Sequence, residues 1–146
     1  MKALFKPTVF FLCLLLTTTG IGCGKDKAPA KAEDCLAQIP ESVDGLRIEG
    51  ERPEKNIIVN MVPFICGIQD LYQKRLAEKP ELKGSLELKI LVEFNGEIIS
   101  YAIDRVTIDD TVLVKEIKHR LGFLDFDPYG RFNTETEFTY PVRFGN

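Results

Sequence analysis

Ser85-Leu86-Glu87-Leu88-Lys89-Ile90-Leu91-Val92-Glu93-Phe94-Asn95-Gly96-Glu97-Ile98-Ile99-Ser100-Tyr101-Ala102-Ile103 is the stretch on which the fold turns. Leu86, Leu88, Ile90, Val92 and Phe94 recur every second residue, while Glu87, Lys89 and Glu93 fall between them. A period of two places one set on a buried face and the other in solvent, which is the signature of a half-buried strand. Asn95-Gly96 then supplies the two residues that favour the positive φ angles of a type I′ turn. Glu97 to Val106 resumes a β-rich run with Ile99, Tyr101 and Ile103 on one face. The stretch predicts an antiparallel hairpin.

Upstream, the period changes from two to about 3.6. Ile57, Met61, Ile65, Ile68, Tyr72 and Leu76 recur at spacings of four and three, and Ile58, Val62 and Leu71 widen the stripe. That pattern is an amphipathic helix. Pro53 suits its first turn, whereas Pro63 lacks an amide proton and predicts a kink or restart near 61–63. The helix is expected to end at Pro80. Downstream, Asp109 or Asp110 can cap a second helix with apolar Leu113, Val114, Ile117 and Leu121, stopping at Gly122. After a turn-rich connection around Asp127-Pro128-Tyr129-Gly130, Glu135 to Phe144 alternates again through Phe138, Tyr140, Val142 and Phe144. The expected order is helix, strand, strand, helix, strand: an α+β domain over residues 51–146, with two helices packed on a three-stranded antiparallel sheet. Pro141 cannot donate to a ladder, so it belongs at an edge or a bulge.

Residues 1–22 read as a processing segment: Lys2 and Lys6, an apolar run from Val9 to Leu16, then small residues before Cys23. The run is well short of the ~20 residues that cross a hydrocarbon core. Gly20-Ile21-Gly22-Cys23 resembles the bacterial lipobox, which implies cleavage before Cys23 and lipid attachment to its thiol; Gly20 stands where Leu is usual. Residues 23–50 then form a tether, Lys-, Ala- and Pro-rich up to Asp34, followed by scattered apolar residues for which the pattern assigns no regular element. The resemblance implies a protein held on a membrane with its domain in the periplasm. Gly24 after the cysteine, in place of an inner-membrane-retaining Asp, favours the outer membrane.

With 1–22 removed, 17 basic residues face 22 acidic ones, a net charge of −5. Such a surface repels phosphate backbones, so nucleic acid is not an expected partner. Cys13 leaves with the processing segment and Cys23 is taken by lipid, which leaves Cys35 and Cys66 as an even pair in an oxidising compartment. They are either joined in a disulfide or buried as free thiols. No catalytic, cofactor or metal constellation emerges. His119, the lone histidine, falls on the polar side of the second helix among Lys115, Lys118 and Arg120, and Asp125-Phe126-Asp127 lacks the alternating oxygens of a calcium loop.

Leu71-Tyr72-Gln73-Lys74-Arg75-Leu76-Ala77-Glu78-Lys79-Pro80-Glu81-Leu82-Lys83-Gly84, the strand ending in Asn95-Gly96-Glu97-Ile98, and Phe138-Thr139-Tyr140-Pro141-Val142-Arg143-Phe144 resemble the C-terminal domain of AgmX/PglI-type proteins, a relative of the TonB C-terminal domain. The chain departs from that pattern in lacking cysteines beside Tyr72 and in the second helix. The resemblance implies an α+β module of the cell envelope, in some relatives linked to gliding motility. The missing catalytic set and the open edges of such a sheet favour binding an extended segment of an envelope protein by strand addition, by analogy with TonB-type domains; the alternatives are a purely structural place in an envelope assembly and, behind it, a periplasmic enzyme. The resemblance specifies neither the partner nor the oligomeric state.

Overall fold

The computed structural model describes Cys35 and residues 37–145. Processing at residues 1–22, lipid at Cys23 and the Gly24 to Asp34 tether therefore lie outside the described residues. The elements are β1 (Arg47–Gly50), α1 (Glu54–Leu76), β2 (Gly84–Glu93), β3 (Ile98–Asp104), α2 (Thr111–Leu121) and β4 (Glu135–Phe144). The fold is α+β, but the antiparallel sheet has four strands rather than three, in the order β1-β4-β2-β3. The additional strand, β1, lies in the stretch to which the sequence pattern assigns no element. Only Leu46 and Ile48 alternate there, too short a run to declare a strand.

The hairpin of β2 and β3 forms as expected, yet its turn is different. Gly96 alone in the loop has a positive φ, +94°, and its amide donates to the Glu93 carbonyl at 3.0 Å while Glu93 donates to Glu97 at 2.9 Å. This is a three-residue loop closed by a left-handed glycine, not a type I′ turn. The connection from α2 to β4 explains the choice by clasping the loop: Tyr129 donates to the Phe94 carbonyl at 2.7 Å, Phe94 to Thr134 at 2.9 Å, and Phe126 to Gly96 at 3.3 Å.

Both helices cover one face of the sheet. Leu86, Leu88, Ile90 and Val92 of β2 and Phe138, Tyr140, Val142 and Phe144 of β4 are buried against Ile57, Met61, Ile68 and Tyr72 of α1 and Leu113, Ile117 and Leu121 of α2. Asp110 ties the helices together. Its carboxylate caps α2 by accepting from Leu113 at 2.9 Å and meets Arg75 at 2.9 Å. Burial alone would push this carboxyl up, but the Leu113 amide, Arg75 and Lys79 outweigh it and hold it below the usual carboxylate range.

Helix α1 runs unbroken through Pro63 and stops at Leu76, short of Pro80, so the expected restart does not occur. Pro63 stands on the exposed face, as does Val59 four residues earlier, where water can serve the carbonyl that proline cannot. Meanwhile Met61, Val62 and Cys66 anchor the backbone on both sides of it. The wide apolar stripe has two destinations. One side meets the sheet; Ile58, Val62 and Cys66 form a second cluster with Cys35, Val43 and Leu46. The segment before β1 thus straps the back of α1, and a Cys35–Cys66 disulfide fastens it, with Cα atoms 5.8 Å apart.

Closing a loop of 31 residues constrains the unfolded chain, which the chain-entropy model values at roughly 3–4 kcal/mol. Replacing both cysteines by serine is accordingly expected to lower the unfolding free energy by about that amount in urea titrations. A loss below about 1 kcal/mol would mean that the strap holds by packing alone.

Candidate functional site

A sheet of four strands that does not close has two edges, and these differ in chemistry. β1 is four residues long, carries Arg47 and Glu49, and ends at Gly50, where φ is +139° and a Cβ would meet the Glu135 carbonyl at 2.7 Å. Its shortness and charge are the usual protections of an edge. β3 has neither over most of its length: Ile98-Ile99-Ser100-Tyr101-Ala102-Ile103 is uncharged, and only Asp104 closes it.

Outside the bulge at Ile99, the direction of each β3 backbone group follows from the hairpin. Glu93 exchanges hydrogen bonds with Gly96 and Glu97, and the Ser85 carbonyl accepts from Thr107 at 2.8 Å, so both ends of β2 turn their backbone groups toward the β3 side. Alternation extends this to Glu87, Lys89 and Leu91, whose partners are Asp104, Ala102 and Ser100. These three spend their amides and carbonyls on β2. Tyr101, Ile103 and, as the partner of Val92, Ile98 therefore present theirs outward, where no described strand lies.

The same alternation accounts for Pro141. β4 is not an edge strand, since it pairs with β2 along its whole length and with β1 from Thr136 to Thr139. Pro141 faces Glu87 as a pair without hydrogen bonds, so its missing amide falls on the β1 side, just past the point where β1 has begun. The proline is tolerated at a local gap inside a central strand.

Of Ile99, Tyr101 and Ile103, only Ile103 packs against the core, together with Ile98. A bulge between Leu91 and Val92 leaves Ile99 as the extra residue, 46% exposed, and Tyr101 is 38% exposed. Beside this edge α2 ends at Gly122, whose own place is next to the Tyr101 hydroxyl. Phe123 follows, 77% exposed, its ring 5.1 Å from that of His119. His119 is exposed on α2, as are Lys115 and Lys118, while Arg120 pairs with Glu116 at 3.5 Å. Cys66 is bonded to Cys35 and so offers no thiol to His119.

Opposite the helices, the sheet presents Arg47, Glu87, Lys89, Arg105 and Glu137. Arg47 meets Glu87 at 2.8 Å, Lys89 meets Glu137 at 2.9 Å, and Arg105 meets Glu87 at 3.2 Å. Such exposed pairs contribute little stability, and their mutual neutralisation leaves this face without a dominant charge. Among the described residues no three His, Cys, Asp or Glu side chains gather to hold a metal, and no helix is long and apolar enough to cross a membrane.

Sequence reasoning overlooked Arg52, which is 2% exposed and locks the loop end of the hairpin. Its guanidinium donates to the carbonyls of Asp127 and Glu93, both at 2.8 Å, and to Asn56 Oδ1 at 3.0 Å, and lies 5.4 Å from the centre of the Phe126 ring. Burial pushes this guanidinium down, against the pull of Asp127. An arginine between a strand and a helix carries no pattern that marks it as buried. Comparison with family models, curated proteins and solved structures finds no match for the chain.

Proposed function

We propose that this protein is a lipid-anchored module of the bacterial envelope that binds an extended protein segment by strand addition along β3, without catalysis. The observation that carries the reading is the uncharged outer edge of β3, with the backbone groups of Ile98, Tyr101 and Ile103 turned outward. An added strand gains main-chain hydrogen bonds there, and the exposed Tyr101 and Phe123 beside the edge supply side-chain selectivity. The lipobox-like Gly20 to Cys23 supports the anchor, and the likeness to TonB-type C-terminal domains supports the mode of binding. The tether from Gly24 to Asp34, ahead of the strap fastened at Cys35, spans at most ~40 Å, which confines the domain to the neighbourhood of one membrane.

Tyr101→Pro tests the edge. It deletes one outward amide and leaves the ladder to β2 intact, because that ladder uses Ser100 and Ala102. Binding of the envelope partner, measured by capture from envelope extract and peptide mapping against wild type, is expected to fall at least about tenfold, the loss of roughly 1.4 kcal/mol. The same variant should still melt cooperatively. Equal capture of the same partner by a folded Tyr101→Pro protein would overturn the edge and turn attention to the exposed face of α2.

A further inference from the structure

The edge reading leaves the chemistry of the added segment open, and the flank of α2 beside β3 specifies it. Helical periodicity sorts the residues of α2 into three groups. Leu113, Ile117 and Leu121 are buried against the sheet. Arg120 turns toward α1, where a Cβ on Gly67 would meet its guanidinium at 3.1 Å. Gly122 turns the other way, toward β3: a Cβ there would stand 3.0 Å from the Tyr101 hydroxyl. Gly122 keeps helical angles, φ −66° and ψ −10°, so the residues four and seven positions before it share its flank. Those residues are Lys118 and Lys115, both exposed.

The two flanks differ in charge. On the α1 side Arg120 is neutralised by Glu116 at 3.5 Å, whereas among the described residues Lys115 and Lys118 meet no carboxylate. The open edge of β3 therefore runs beside two uncompensated cations on its helix side. The opposite side offers none: Lys89 is paired with Glu137 and Arg105 with Glu87, and exposed Asp104 at the end of the strand adds negative charge. We propose that the segment added to β3 is acidic on one face, with Asp or Glu two residues apart over Lys118 and Lys115 and no acid on the open side. This rests on the strand-addition reading above and names the chemical class of its partner.

The spacing suits such a segment. Successive residues on one face of a strand stand about 6.8 Å apart, and Lys115 and Lys118 are separated by about 4.5 Å along the axis of α2. Their four-carbon stems absorb the difference. A broad anionic surface, whether a membrane or a nucleic acid backbone, is a poorer match, because the chain as a whole carries a formal net charge of −3. The attraction is local, two side chains wide, and complements alternate carboxylates on a strand that backbone hydrogen bonds hold in place.

Selection from a displayed library of random ten-residue segments, with the detergent-solubilised full chain as bait, tests the pairing. Enriched segments are expected to carry Asp or Glu at two positions separated by one residue, with no acid between them. Replacing those acids by Asn or Gln in a synthetic copy of the best segment should weaken binding roughly fivefold, the effect of two exposed ion pairs, and ~0.5 M salt should erase the difference. The same loss is expected with Lys115→Gln/Lys118→Gln, which should melt as wild type does because both side chains are exposed. Selection on the reversal Lys115→Glu/Lys118→Glu should enrich Lys or Arg at the same positions.

Segments enriched without acids, yet lost with Tyr101→Pro, would overturn the acidic class while leaving strand addition at β3 in force. Acidic segments that bind Tyr101→Pro as well as wild type would show adhesion to the helix alone and overturn both readings. A library that yields no binder on a chain that melts cooperatively would do the same. Should the lysine changes reduce adsorption to phosphatidylglycerol vesicles while leaving binding of the selected segments unchanged, the flank serves a lipid surface and the acidic segment is rejected.

Discussion

Gly96→Val is expected to lower the unfolding free energy by roughly 4 kcal/mol or more, among the largest effects of a single substitution. Two independent causes act at this position. The φ of +94° is one that a β-branched residue scarcely adopts, and a Cβ would stand 1.8 Å from the Phe126 carbonyl oxygen. The obstructing atom is backbone, so no side-chain rotation relieves it. To make room, the 122–134 connection must retreat from the hairpin, which strips the Phe126 amide from Gly96, the Tyr129 amide from Phe94 and the Asp127 carbonyl from buried Arg52. Gly96→Asn separates the causes, since asparagine tolerates positive φ yet brings the same Cβ. Both variants should melt far below wild type, by on the order of 15 °C or more. An asparagine variant close to wild type would show that the connection yields easily and that conformation alone makes glycine necessary.

Cys23→Ser is expected to abolish lipid attachment altogether, because the thiol is the acceptor in the processing proposed for Gly20 to Cys23. The lost anchoring is large: each buried methylene contributes roughly 0.8 kcal/mol, and more than one acyl chain makes membrane binding firm. Metabolic labelling with a fatty-acid probe followed by membrane fractionation measures it. The variant should carry no label and appear as precursor or soluble protein. Undiminished labelling would refute the anchor while leaving the edge reading of the domain untouched.

Where a pattern was long, the sequence carried the fold. Four alternating apolar residues of β2 and more than five turns of stripe in α1 survive one or two irregularities, so even Pro63 does not interrupt the helix. β1 was hidden because four residues with a single inward isoleucine give no period, and its pairing with β4 depends on a strap and a disulfide distant in sequence. The turn at Asn95-Gly96 was misread for a related reason. Local preference favours type I′, but the loop's conformation is settled by the 122–134 connection that grips it. Cysteine arithmetic left two states for Cys35 and Cys66, and their 5.8 Å separation decides for the bond.

The interaction edge was legible only in part. Pro141 reads in the sequence as an edge or bulge residue, whereas it lies in the central strand β4 and the open, uncharged edge is β3. The composition of β3 was visible, but its exposure was not: Ile99 and Tyr101 look like core residues until the bulge and the strand order are known. Arg52, with its carbonyl partners brought from positions 93 and 127, is a product of tertiary structure alone.

Amide hydrogen exchange, resolved by residue and compared between the isolated protein and its envelope-derived complex, tests strand addition most directly. In the isolated chain the amides of Ser100, Ala102 and Asp104 are expected to exchange slowly, and those of Ile98, Tyr101 and Ile103 fast. In the complex the second set should slow to the level of the first. If Ile98, Tyr101 and Ile103 stay fast in the complex while protection appears elsewhere, β3 is not the binding edge.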